Sequence, residues 1–151
     1  MGGILDEIMI EKPKILFLCT GNSCRSQMAE GWSRHLKSAS FTAFSAGIEA
    51  HGLNPKAVQV MQEAGVDITC QKSQEVQELE TIPFDFVITV CGHASEVCPV
   101  FNCSTRVIHF GFDDPPRLAK NAETEEEALS HYRKVRDEIR TFVETLPEVL
   151  W

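Results

Sequence analysis

The sequence lacks several features that would assign it to large functional classes. No apolar run approaches the roughly 20 residues that span a bilayer, and the first residues lack the basic start of a secretory signal. Basic residues are few, with 14 Lys and Arg against 22 Asp and Glu, so the formal net charge is −8. Nucleic acids and anionic membranes bind clustered Lys and Arg, and we therefore expect neither as a partner.

Two motifs are also missing. The phosphate-binding loop GxxxxGK[S/T] is absent, which disfavours nucleotide hydrolysis. The C-x2-C spacing of structural zinc sites is absent as well. A zinc site remains the weaker interpretation of five residues that lie close together in the sequence, and no metal is expected. These residues are Cys91, His93, Cys98, Cys103 and His109.

The length and composition predict one ordinary globular domain. The chain has 151 residues, of which 43 % are hydrophobic, enough for one packed core. We expect residues 1–12 to form an N-terminal extension and residues 13–151 to form a single, monomeric domain. Six cysteines without an export signal indicate a reducing compartment, the cytoplasm, where thiols are catalytic, metal-binding or simply buried.

Strand and helix patterns alternate along the chain. Apolar runs predict strands at residues 14–19, 41–45, 84–90 and 106–110. Helical stripes predict helices that begin near residue 26, at Pro55 and after Thr124, where Thr124 and Glu127 form a capping box. This alternation predicts an α/β fold with a parallel sheet. Ligands of such folds bind beyond the carboxyl ends of the strands, where Cys19 and Cys91 lie.

The segment CTGNSCRS, residues 19–26, carries the main functional signal because it joins a strand to a helix. A tight loop that enters a helix directs its free N–H groups at one point, and Gly21 and Asn22 tolerate the left-handed backbone of such a curl. Arg25 can grip two oxygens of a tetrahedral anion. The alternative is a plain turn with a buried Cys and a surface Arg. The predicted anion-binding residues are Thr20, Gly21, Asn22, Ser23, Cys24, Arg25 and Ser26.

Cys19 is the predicted nucleophile of this loop. The positive field of the N–H groups and Arg25 should lower the pKa of the Cys19 thiol and favour its thiolate. Ser26 could donate a further hydrogen bond to the sulfur. Cys24, inside the loop, is interpreted as a packing residue or as a backup disulfide partner.

The segment CTGNSCRSQMAEGW resembles the active-site segment of the low-molecular-weight tyrosine phosphatase fold, and most closely its thioredoxin-coupled arsenate reductases. FSAGIEAHGLNPKA, TVCGHASEVCP and HFGFDDP carry the same resemblance, which covers nearly all of residues 14–146. Gln27 departs from the phosphatases, which usually carry Pro there. The resemblance implies a three-layer α/β domain around a four-stranded parallel sheet.

The resemblance also implies a reaction and its residues. Cys19 attacks arsenate, for which phosphate or sulfate can serve as mimics, and Asp114 is the general acid. Cys91 then attacks Cys19 to release arsenite, and Cys98 attacks Cys91, leaving a disulfide for thioredoxin, the electron donor. No bound cofactor is expected. For Asp114 the alternative is a helix-capping or turn residue, and for Cys91 and Cys98 it is a pair of inert thiols.

Geometry adds one expectation about the second cysteine pair. If residues 91–98 were helical, their terminal Cα atoms would lie about 10 Å apart at about 1.5 Å per residue. A disulfide needs about 5.5 Å between Cα atoms, so any helix there must unwind when the disulfide forms. Gly92 and Pro99 would ease that change.

Some relatives bind potassium beside the loop, and the resemblance maps that site onto Asn22, Ser45, Lys72 and Gln74. An ammonium at Lys72 could replace the cation, so no potassium requirement is expected. Cys70 and Cys103 are interpreted as buried thiols without a role, and His51 and His109 as structural. Two rival functions stay open: a low-molecular-weight protein tyrosine phosphatase, and a non-enzymatic oxyanion-binding or redox-sensing module.

Overall fold

A computed structural model describes residues 12–151 of the chain. The predicted N-terminal extension, residues 1–12, therefore lies outside the described residues except for Lys12. Within the described range, no helix is long and apolar enough to span a membrane.

Four parallel strands form one sheet, as predicted. They are β1 (Lys14–Cys19), β2 (Thr42–Gly47), β3 (Phe86–Thr89) and β4 (Arg106–His109), in the order β2-β1-β3-β4. The third strand is shorter than predicted, because Phe84 bonds within a turn to the carbonyl of Ile82. The second strand continues to Gly47, where the predicted strand ended at Ser45.

Helices flank the sheet, and two of them begin at capping residues, Asn54 and Thr124, whose side chains accept from the first turn. They are α1 (Arg25–Leu36), α2 (Pro55–Glu63), α3 (Gly92–Glu96), α4 (Pro115–Leu118) and α5 (Glu125–Glu144). The Thr124 hydroxyl accepts from Glu127 N as predicted, but the Glu127 carboxylate accepts from Glu123 N, so only half of the capping box forms. The helices α3 and α4 are too short to produce a helical stripe in the sequence, which is why they were not predicted.

The core lies between β1 and the helices α1 and α5. The five residues from Ile15 to Cys19 are buried, as expected for a central strand covered on both faces. Trp32 of α1 is fully buried, and its indole N–H donates to the Arg136 carbonyl of α5 at 3.1 Å. These contacts fix the start of α1, and with it the loop that precedes the helix.

The strand order determines which loops meet. Because β1 lies between β2 and β3, the residues that follow all three strands gather at the carboxyl edge of the sheet. Cys19 ends β1, and Cys91 follows β3 by two residues. At the end of β2, a Cβ added to Gly47 would lie 2.1 Å from Glu49 O and 2.8 Å from Asn22 N. Only glycine allows the end of β2 to pack this closely on the loop after β1.

We therefore expect Gly47→Ala to damage the loop as well as the fold. The added methyl meets backbone atoms that cannot move independently, and overpacking of this kind costs about 3 kcal/mol. The free energy of unfolding, measured by urea titration, should fall by about that amount, and affinity for inorganic phosphate should fall as well. An unchanged unfolding midpoint with unchanged phosphate binding would contradict the close packing described above.

Candidate active site

Asn22 holds the loop of residues 19–26 in a curled conformation. Its backbone is left-handed, with φ of 47°, and the side chain is fully buried. The amide nitrogen donates to Ser26 Oγ at 2.8 Å, and the amide oxygen accepts from Gln74 N at 2.9 Å. The left-handed backbone expected at Asn22 is confirmed. The Ser26 hydroxyl, expected to donate to the Cys19 sulfur, accepts this bond inside the loop.

Gln27 supports Asn22 from behind, a role that sequence reasoning missed. Its side-chain nitrogen donates to Asn22 O at 3.0 Å, Asn22 Oδ1 at 3.1 Å and Lys72 O at 3.1 Å. Its side-chain oxygen accepts from Gln71 Nε2 at 2.8 Å. The residue is fully buried. A hint in the sequence was that Gln27 stands where the related phosphatases usually carry proline. The sequence could not show which groups the Gln27 amide would contact.

Arg25 contacts the opposite side of the loop. Its Nη1 donates to Phe112 O at 2.9 Å, and its Nη2 lies 3.7 Å from an Asp114 carboxylate oxygen. The Nε is buried and has no hydrogen-bond partner among residues 12–151. A buried donor without a partner costs free energy that an anion oxygen would recover. This unused donor supports an anion site at the loop.

Two buried sulfurs meet at the start of the loop. Cys19 and Cys91 are 4 % and 3 % exposed, and their side chains are close enough that each shifts the pKa of the other. The Cys91 sulfur also lies 3.2 Å from Thr20 Oγ1, and it accepts from Ala94 N at 3.4 Å at the start of α3. The Cys91 sulfur therefore has two neighbouring groups, Thr20 Oγ1 and Ala94 N, that can stabilise a negative charge on it.

The pKa of Cys19 is raised in this state, contrary to the sequence-based prediction. Its hydrogen bond to Cys91 and its burial raise the pKa well above the ordinary value, although Arg25 acts in the opposite direction. The bond from Cys19 lowers the pKa of Cys91 to about 5, with help from Thr20, Ala94 N and Arg25. The prediction was wrong because the sequence could not place a second sulfur in contact with the first. The two cysteines hold one negative charge between them.

Cys98 and Asp114 both follow Cys91 in the chain. Asp114 is the residue before α4, yet its side chain makes no capping hydrogen bond and is near Arg25 instead. Cys98 is half-buried and follows α3, which ends at Glu96, and burial raises the pKa of its thiol. The helix thus covers only part of the segment between the two cysteines.

The remaining cysteines separate into one buried thiol and two exposed ones. Burial raises the pKa of Cys24 to about 12, which suits the packing role considered for it. Cys70 and Cys103 are exposed, so their interpretation as buried thiols was wrong. Both lie in connecting segments outside the named helices and strands. Residue type alone does not reveal that a cysteine in such a segment is exposed.

Lys72 does not occupy the place expected for it. Its ammonium lies 3.0 Å from a Glu78 carboxylate oxygen, and its side chain is 70 % exposed. Its carbonyl, instead, faces the loop and accepts from Gln27. Gln74 donates to Ser45 O at 3.1 Å, and Ser45 Oγ donates to a Glu30 carboxylate oxygen at 2.5 Å. Over residues 12–151 there is no group of three or more His, Cys, Asp and Glu side chains that could hold a metal ion.

Replacing the Gln27 amide should loosen the loop. We expect Gln27→Leu to weaken binding of inorganic phosphate about tenfold, because three acceptors at the loop lose their donor and buried polar groups are left without partners. Isothermal titration calorimetry measures this effect, and Gln62→Leu on the exposed face of α2 is the matched control. Equal phosphate affinity in the two variants would remove the supporting role of Gln27.

The comparisons with known proteins agree on one family. The family described as "Low molecular weight phosphotyrosine protein phosphatase" matches residues 14–150. An arsenate reductase of Halalkalibacterium halodurans is 49 % identical over 140 residues, covering 90 % of this chain and 99 % of the relative.

Two solved structures share the fold. One, described as an arsenate reductase in the phosphate binding state, is 31 % identical with a TM-score of 0.70, covering 89 % of this chain and 95 % of that chain. The other, a low molecular weight protein tyrosine phosphatase from T. tengcongensis, is 24 % identical with a TM-score of 0.71, covering 91 % and 99 %. The predicted resemblance is confirmed, and this chain belongs to the low molecular weight phosphotyrosine protein phosphatase family, among its arsenate reductases.

Proposed function

We propose that this chain reduces arsenate to arsenite by a triple-cysteine mechanism that thioredoxin regenerates. Cys19 is the nucleophile and Arg25 binds the oxyanion. Asp114 donates the proton to the leaving oxygen. Cys91 and Cys98 carry the oxidising equivalents away from the loop.

One observation carries this proposal: the Cys91 sulfur lies 3.2 Å from Thr20 Oγ1, beside Cys19, and the two cysteine side chains interact. A phosphatase completes its cycle with water and needs no second sulfur at its nucleophile. A reductase needs a thiol that can reach the nucleophile once arsenic is attached to it. Cys91 meets this requirement without a large movement, and Thr20 and Ala94 N stabilise its thiolate.

The first step requires a proton transfer within the sulfur pair. Because the shared charge lies mainly on Cys91, Cys19 must pass its proton to Cys91 before or during attack. The Cys19 thiolate then displaces a water molecule from arsenate, with the proton for that water supplied by Asp114. The product is a thiol ester of arsenate, in which arsenic is still pentavalent.

The second step transfers two electrons to arsenic. Cys91 first releases to solvent the proton that it took from Cys19. Its thiolate then attacks the Cys19 sulfur, the sulfur–arsenic bond breaks, and the electron pair of that bond leaves with trivalent arsenic as arsenite. A Cys19–Cys91 disulfide remains. Attack by Cys98 on Cys91 then frees Cys19 and leaves a Cys91–Cys98 disulfide, which two electrons from thioredoxin reduce.

The relatives support arsenate as the substrate. The bacterial protein that is 49 % identical to this chain is an arsenate reductase. A structure 31 % identical is described as an arsenate reductase that binds phosphate, an anion of the same shape. The chemistry requires reduced thiols, so we propose that the protein works in a reducing compartment such as the cytoplasm.

The decisive test of the mechanism is arsenate-dependent NADPH consumption in the presence of thioredoxin and thioredoxin reductase. We expect Cys98→Ser to lower the steady-state rate at least about 100-fold, because the Cys19–Cys91 disulfide can form once but cannot be passed on. The exposed Cys103→Ser is the matched control and should retain the native rate. Full activity of Cys98→Ser would exclude the triple-cysteine relay, but it would not contradict the proposed role of the oxyanion loop.

Oxidation should change the segment from Cys91 to Pro99. Its helix α3 has five residues and two long backbone bonds, Ser95 N to Cys91 O at 3.2 Å and Val97 N to His93 O at 3.1 Å. A disulfide needs about 5.5 Å between the Cα atoms of Cys91 and Cys98, and we propose that this helix unwinds to allow it. We expect hydrogen exchange of residues 92–97 to accelerate in the oxidised protein, measured by mass spectrometry. Equal protection in both redox states would refute the change.

Potassium should have little effect on turnover. N–H groups of Gln27 and Gln74 already donate hydrogen bonds to the oxygens around Asn22 and Ser45. These oxygens therefore do not need a bound cation as a partner. The measurement compares initial rates in potassium chloride and sodium chloride at equal ionic strength. Strong activation by potassium over sodium would contradict this prediction.

A further inference from the structure

The carbonyl oxygens of the loop are bonded to donors from outside it. The last of them, Ser23 O, accepts from Asn54 N at 2.9 Å, and Asn22 O accepts from Gln27 Nε2 at 3.0 Å. In a trans peptide, such as the one after Ser23, the carbonyl and the following N–H point in opposite directions. The bond to Ser23 O therefore directs the Cys24 N–H away from Asn54, towards the concave side of the loop.

Asn54 makes this backbone bond and also caps helix α2. Its Oδ1 accepts from Lys56 N at 2.9 Å and from Ala57 N at 3.2 Å, so the amide oxygen faces the helix. The amide nitrogen then faces the other way, and it donates to Tyr132 Oη at 3.2 Å. Serine caps helices about as well as asparagine does, but it has no nitrogen to extend towards a phenol. The bond to Tyr132 thus requires an amide at this position.

Tyr132 is a fixed and neutral acceptor for that nitrogen. The residue is 3 % exposed and lies between Leu129 and Val135 on the buried face of α5. Burial raises the pKa of the Tyr132 phenol, and the negative charges of Asp114 and Glu125 act in the same direction. The hydroxyl therefore keeps its proton at neutral pH. It accepts the bond from Asn54 without adding a negative charge that would repel an anion at the loop.

We propose that Tyr132 is a positioning residue of the anion site. Through Asn54 it fixes the peptide that joins Ser23 to Cys24, so that the N–H of this peptide donates to the bound oxyanion. The link runs from the long helix α5, through the start of α2, to the loop. The inference rests on the proposed function, since it adds a residue to the same site, but it concerns anion binding alone and none of the electron-transfer steps.

The test measures the affinity of the reduced protein for inorganic phosphate by isothermal titration calorimetry. The variants are Tyr132→Phe, which removes only the hydroxyl, Asn54→Ser, which keeps a helix-capping oxygen, and the double variant. Ser33→Ala is the matched control, because it also removes a buried hydroxyl, one that donates to Ala29 O at 2.7 Å within α1. Urea titration of each protein separates a loss of stability from a loss of binding.

The expected result is a loss of affinity that does not accumulate. Tyr132→Phe and Asn54→Ser should each weaken phosphate binding about fivefold, since either variant breaks the hydrogen bond that joins the two residues. The double variant should bind phosphate about as weakly as the single variants, because both substitutions break the same link. Ser33→Ala should keep the native phosphate affinity, whatever its effect on the free energy of unfolding.

Native phosphate affinity in Tyr132→Phe would overturn the inference, since a merely structural bond lowers the free energy of unfolding and leaves binding unchanged. A loss of roughly 25-fold in the double variant would overturn it too, because the two residues would then act independently. So would a native chain that does not bind phosphate. If the native chain binds phosphate but consumes no NADPH with arsenate and thioredoxin, the proposed reductase function fails, and the role of Tyr132 is still decided by the affinities.

Discussion

One negative charge shared by two buried sulfurs is the interaction on which the candidate chemistry depends. Cys19 ends β1 and Cys91 follows β3, and they meet because β1 and β3 are neighbours in the sheet. Burial makes the second charge costly, so the first thiolate suppresses its partner. The position of the proton in this pair decides which sulfur can attack.

The site also shows how an acidic protein can hold an anion. The chain carries a formal net charge of −8, but the loop offers backbone N–H groups and one largely buried guanidinium, which lies 3.7 Å from an Asp114 carboxylate oxygen. The loop keeps its shape through neutral amides, mainly Asn22 and Gln27, which add no charge of their own. Local donors therefore outweigh the average field of the molecule over these few ångströms.

Much of the fold follows from local sequence. The apolar run from Ile15 to Leu18 is fully buried in the central strand, and Asn54 and Thr124 cap their helices as their positions predict. The short α3 escaped prediction because five residues show no periodicity. Short elements of this kind form because of their contacts with residues that are distant in the sequence, and local sequence patterns do not reveal those contacts.

The site was less predictable than the fold, for a physical reason. The nucleophile and the arginine lie in one short segment, and their spacing could be interpreted directly. The pKa of Cys19 depends on Cys91, which is 72 residues away in the chain, and the hydrogen bond from Gln27 to the Lys72 carbonyl joins residues that are 45 apart. Long-range contacts of this kind set protonation states, and no local pattern encodes them.

The exposed thiols of Cys70 and Cys103 have a practical consequence for handling the protein. Both are open to air oxidation, whereas Cys19 and Cys91 are enclosed by the loop and α3. During storage, two molecules can become joined through these surface sulfurs while their interiors remain reduced. A covalent dimer on a non-reducing gel would then report the age of the sample rather than its catalytic history.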